Sequence, residues 1–160
     1  MRKIIIVITV LIALSFIIAL LFYFGVYRVS YLDKLGLLNK SYNEINETIG
    51  KPLDVNVKEE DGISYTESKC EYFTIVFWND KNGLPNEIVR VIIDNDKIRF
   101  GLFNVRIGMR RNVLEFIYLL APKIKDLTPN RYGIILRGEW IYFTFNEDDQ
   151  ISQIVITSGF

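Results

Sequence analysis

Two short stretches carry rings and hydroxyls at alternate positions: Tyr72, Thr74, Val76 and Trp78 in one, Trp140, Tyr142 and Thr144 in the other, with Tyr65 upstream. Side chains of an extended strand point alternately to opposite faces, so each set falls on one side of its strand. Tyr and Trp combine a large apolar area with a polar handle, the chemistry of protein-binding hot spots. The expected binding residues are therefore Tyr65, Tyr72, Thr74, Trp78, Trp140 and Tyr142. The plainer use of such rings is cross-strand pairing, worth ~0.2–1 kcal/mol each.

Catalytic groups are sparse. The chain has no histidine, which removes the commonest general base and the commonest transition-metal ligand. Its one cysteine, Cys70, can make no internal disulfide and no zinc thiolate cluster. The acidic runs Glu59-Glu60-Asp61, Asp94-Asn95-Asp96 and Glu147-Asp148-Asp149 lack the twelve-residue loop of a calcium site and suit turns. No cofactor and no metal are expected. Arg106, Arg110 and Arg111 form a basic knot expected to pair within the fold with Glu115, the alternatives being a partner's carboxylates or a lipid phosphate. An enzyme acting on wall polymer would need two facing carboxylates, with Glu139 and Glu71 as candidates.

These groups need elements to hold them. Ile4–Tyr27 carries no charge and no proline, and as a helix it would run roughly 36 Å. That length suits a ~30 Å hydrocarbon core, and more apolar sequence follows the single small-x-small triplet Ala13-Leu14-Ser15. The expectation is a retained single-pass anchor over residues 1–27. Arg2 and Lys3 would lie in the cytoplasm, residues 28–160 outside the cell membrane, and Tyr23, Tyr27 and Tyr31 near the outer boundary. Ser15 and Ala19 form a small-xxx-small pair of the kind that can dimerise helices. Setting Arg2 and Lys3 aside from the 19 basic residues leaves 17 against 19 acidic, too even a balance for a nucleic-acid surface.

Residues 28–37 read as a juxtamembrane linker, and 38–160 as one domain of ordinary size. Ser41 followed by Glu44 is a capping box, and Tyr42, Ile45 and Ile49 share one helical face before Gly50 and Pro52. Ile63–Lys69, Tyr72–Trp78 and Glu87–Ile93 read as strands. The order then recurs: Ile98–Val105, a helix within Gly108–Leu119, and strands at Gly133–Arg137, Trp140–Phe145 and Ile151–Thr157. Helix-then-hairpin units at about 38–95 and 98–157 imply an α+β domain of two layers, helices on one face of one antiparallel sheet. The aromatic sets would then lie on the uncovered face.

The phrase Val105-Arg106-Ile107-Gly108-Met109-Arg110-Arg111-Asn112-Val113 before a strong hairpin resembles the signature of the β-lactamase-inhibitor-like tandem repeat. Asn39–Ile45 is similar to a degraded copy of it. The same half-unit occurs in the outer-membrane assembly lipoproteins of the SmpA/OmlA group. The resemblance implies the fold over about 38–157 and no binding residue. Together these readings describe a membrane-anchored, extracytoplasmic module that binds another envelope protein as scaffold, inhibitor or sensor. The alternatives are the carboxylate enzyme above and a small-ligand or lipid sensor. Asn39-Lys-Ser and Asn46-Glu-Thr also match glycosylation sequons.

Overall fold

A computed structural model describes residues 2–27, 30–37, 40–101, 103–125 and 127–158; within the first helix, side chains are described at 6–20 and 23. Among these residues, four helices, α1 (Arg2–Tyr27), α2 (Tyr31–Lys34), α3 (Tyr42–Ile49) and α4 (Arg111–Ile117), accompany seven strands. The strands are β1 (Asp54–Glu60), β2 (Ile63–Lys69), β3 (Thr74–Asn79), β4 (Pro85–Ile93), β5 (Arg131–Leu136), β6 (Glu139–Phe145) and β7 (Ile151–Ser158). They form one antiparallel sheet in the order β1-β2-β3-β4-β7-β6-β5.

Local sequence explains the turns. The β1–β2 hairpin closes on Asp61-Gly62 and the β5–β6 hairpin on Arg137-Gly138, each pair with both φ angles positive, as tight hairpins require. Between β3 and β4, the Asp80 carboxylate accepts the amides of Asn82 and Leu84 at 2.8 and 2.9 Å. At α3 the capping box is complete: Ser41 Oγ accepts the Glu44 amide, and Glu44 Oε2 accepts the Ser41 amide at 2.8 Å. α4 has Arg110 at its N-cap and no side-chain cap. There the Arg111 amide donates instead to the Asp149 carbonyl beside β7, at 2.9 Å.

The core lies between one face of the sheet and the short helices. Ile75 and Phe77 of β3, Val91 and Ile93 of β4, Ile154 and Ile156 of β7, and Ile141 and Phe143 of β6 are buried there. Ile45 of α3, with Leu114 and Ile117 of α4, packs onto them. Burying a side chain of this kind contributes about 1.5–3 kcal/mol. Residues 30–37, read as a linker, are part of this core: Tyr31 is 0% exposed, stacks on Phe100 at 3.9 Å, and shares a 2.5 Å hydrogen bond with the Tyr118 hydroxyl.

Two expectations are corrected. The two-layer arrangement of tandem helix–hairpin repeats gives way to mostly one seven-stranded sheet with a few short helices. α2, α3 and α4 have only 4, 8 and 7 residues, too few for a full second layer. The units are also unequal, because Asp54–Glu60 adds a strand to the first and Ile98–Val105 supplies only the isolated Phe100–Val105 bridge to the second. The membrane anchor is corrected as well: among the described residues no helix is long and apolar enough to cross a membrane. The unbroken run of described side chains in α1, residues 6–20, spans about 22 Å. The signal-anchor and single-pass cell-membrane assignments rested on that span and are withdrawn with it. Arg28, used for orientation, and the sequon at Asn39 lie outside the described residues.

Candidate binding face

The helices of the core cover one side of the sheet and leave the opposite side of its strands open. Register places the open-face residues in rows across the strands. Tyr65 of β2 sits opposite Trp78 of β3, which sits opposite Glu87 of β4. The next row runs Glu67, Val76, Arg90, Thr157, Trp140 and Ile135. The row after it runs Lys69, Thr74, Ile92, Val155, Tyr142 and Gly133. Five of the six expected binding residues therefore share this face. They fall in two groups, Tyr65 with Trp78 and Thr74 on one side, Trp140 with Tyr142 on the other. Three strand spacings, about 14 Å, separate Trp78 from Trp140. Trp140 is the most open of these rings at 44% exposure.

Tyr72 does not join them. β3 begins at Thr74, and residues 71–73 turn the chain, so the strand alternation stops short of Tyr72. Its ring packs against the core side with the Lys97 ammonium 5.1 Å from its centroid. A hydrogen bond to Glu71, with burial adding to it, raises the Tyr72 hydroxyl above its ordinary pKa. Cys70 beside it is a buried free thiol, also pushed up by burial.

The candidate carboxylates are placed apart. Glu139 is buried on the helix side at the start of β6 and accepts three hydrogen bonds: from Ser30 Oγ at 2.5 Å and from the amides of Tyr31 and Leu32 at 2.8 and 3.3 Å. Its oxygens are engaged in capping α2, a segment more than a hundred residues away in sequence. Glu71 is exposed in the β2–β3 turn, on the other half of the sheet. Among the described residues no group of three or more His, Cys, Asp or Glu is arranged to hold a metal. Of the basic knot, Arg111 lies 3.2 Å from Asp149, donates to the Pro129 carbonyl at 2.7 Å and stacks on Phe145; Asp149, and not Glu115, is its acid.

Between the two aromatic groups the open face has a shallow depression of about 250 Å³. Ile92 and Val155 form its apolar floor, and Tyr142, Gln153 and Thr157 supply polar groups. Arg90 and Arg131 stand at its margins. Neither guanidinium has a carboxylate within 4 Å among the described residues, and Arg90 Nε is buried without a hydrogen-bond acceptor. Sequence reading missed both arginines. They are 41 positions apart on different strands, and only the β4-β7-β6-β5 order brings them to one depression.

No family model matches the chain, and no curated protein matches it. Two solved structures are similar in fold. One is an extracellular protein containing an SCP domain from Bacillus anthracis, at 8% identity and TM-score 0.54, covering 78% of this chain and 45% of that one. The other is a cysteine-rich secretory protein from Staphylococcus aureus, at 12% identity and TM-score 0.50, covering 74% of this chain and 42% of that one. The chain thus spans less than half the length of either, and at these identities the likeness concerns the fold alone. Neither description is of a β-lactamase-inhibitor-like repeat or of a single-pass membrane protein.

Proposed function

We propose that this chain is a binding module that engages another protein through the open face of its sheet. The observation that carries the reading is the pair of aromatic groups, Tyr65 with Trp78 and Trp140 with Tyr142, on the side that α2, α3 and α4 leave uncovered. Trp140 is 44% exposed, whereas Phe143 on the same strand is fully buried. Large rings left partly exposed offer contact area with little conformational entropy to lose on binding, and interface energy concentrates in such residues. Capture of partners from extracts of the producing cells, with wild type and with Trp78→Ala plus Trp140→Ala, tests the reading. Recovery of the specific partner should fall at least about tenfold in the double variant. Equal recovery from both proteins would sink it.

A further inference from the structure

The depression between the aromatic groups has a chemistry of its own. Arg90 and Arg131 bring two guanidiniums to it, and no acid of the described protein answers either one. On this face, Glu67 in the cross-strand row of Arg90 is held 2.7 Å from Lys58, and Glu87 lies opposite Trp78. Guanidinium groups left without a protein acceptor in a concave site are matched by carboxylate or phosphate oxygens, which they bind through forked, charge-assisted hydrogen bonds.

Geometry chooses between these ligands. Arg90 and Arg131 are three strand spacings apart, about 14 Å. Along the strands they are offset by the four residues from Thr157 to Gln153, again about 14 Å. Their Cα atoms thus lie about 20 Å apart at opposite corners of the depression, a span that suits a ligand carrying several anionic groups. An extended polypeptide places alternate side chains roughly 7 Å apart on one side, so successive acidic residues can reach both corners. Ile92 and Val155 between them suit the methylene stems of Glu, and Gln153 and Tyr142 can hydrogen-bond its backbone or carboxylates. A run of phosphates has no use for that apolar floor.

We infer that the Arg90–Arg131 depression binds an acidic stretch of polypeptide lying across the open face. This inference rests on the reading of that face as a protein-binding surface and names the chemistry of the partner. The test is fluorescence anisotropy of a fluorescein-labelled decaglutamate peptide titrated with the full-length chain, with decaglutamine as control and inorganic polyphosphate as competitor. Wild type should bind decaglutamate saturably, and more weakly as salt is raised. Arg90→Gln and Arg131→Gln should each weaken binding by about tenfold or more, and decaglutamine should not bind. Arg131 is exposed, so its variant keeps the test decisive even where Arg90→Gln lowers the thermal midpoint. Absence of saturable binding, or equal binding by the arginine variants, overturns the inference. Tighter binding of polyphosphate through the same arginines overturns the acidic-polypeptide assignment. Failure of decaglutamate binding, with partner recovery still lost in the Trp78→Ala plus Trp140→Ala protein, would overturn the arginine site and leave the aromatic reading standing, so the two failures are told apart.

Discussion

Strand β6 shows both faces of the sheet within seven residues. Ile141, Phe143 and Phe145 are buried beneath the helices, whereas Trp140, Tyr142 and Thr144 alternate with them on the open side. Backbone, neighbours and hydrogen bonds are shared by both sets, so the difference is one of covering alone. The covered set removes apolar area from water and holds the fold together; the open set leaves area and polar handles to be used by something else. A clean division of this kind predicts that substitutions on one face move stability, and those on the other move binding.

The largest expected break is on the covered face. Phe143→Ala should cost about 3–5 kcal/mol, read as a lowered urea midpoint, because its ring is fully enclosed beside Tyr118 and Tyr132. A loss under about 1 kcal/mol would mean that the helix layer does not seal this side. Next comes Glu139→Gln, which removes the charged acceptor of Ser30, Tyr31 and Leu32 and should cost about 1–3 kcal/mol. Protease protection of residues 30–37 should fall in parallel.

Gly133→Ala tests the division from the open side. A Cβ there would meet Leu127 at 2.9 Å and Ile124 at 3.0 Å, side chains that pack over this point of β5. Overpacking of about 1–3 kcal/mol is expected by thermal unfolding, a stability cost at an open-face position that is locally covered. Titration sharpens the comparison further. Burial, the neighbouring Tyr118 hydroxyl and Glu139 hold the Tyr31 hydroxyl well above its ordinary value of 10.0. An unfolded tyrosine ionises first, so the stability due to this group is intact below pH 10 and falls as pH rises beyond it. Urea midpoints at rising alkaline pH should show that fall, and Tyr31→Phe should make it shallower. The smallest stability effect belongs to Trp140→Ala, under about 1 kcal/mol, with its consequence confined to partner recovery.

The strands were legible where β-branched and aromatic residues are dense. Ile63–Lys69 is β2, and Trp140–Phe145 and Ile151–Thr157 fall within β6 and β7. Ser41 and Glu44 announced their capping box directly, since both partners lie within one helical turn. β1 was hidden because Asp54-Val55-Asn56-Val57-Lys58-Glu59-Glu60 is mostly polar and exposed throughout. Its signal was the Asp61-Gly62 turn beside alternating valines. An edge strand needs no apolar face, and its charges discourage further pairing. The other edge, β5, is covered instead by residues 122–124, which bond to Gly133 and Ile135.

For the candidate site, alternation along each strand was enough to put Thr74 with Trp78 and Trp140 with Tyr142, because side-chain direction is a local property of extended backbone. It misled at Tyr72, where the strand had not yet begun. It offered nothing on which strands would be neighbours.

The sequence by itself determined where the chain extends, where it turns and which residues share a strand face, since these depend on contacts a few positions apart. Tertiary structure alone decided that β4 pairs with β7, that Glu139 caps a segment beginning at Ser30, and that Arg90 and Arg131 frame one depression. Those juxtapositions come from closing long loops, and their free energy is shared among many buried side chains. No short motif can encode them.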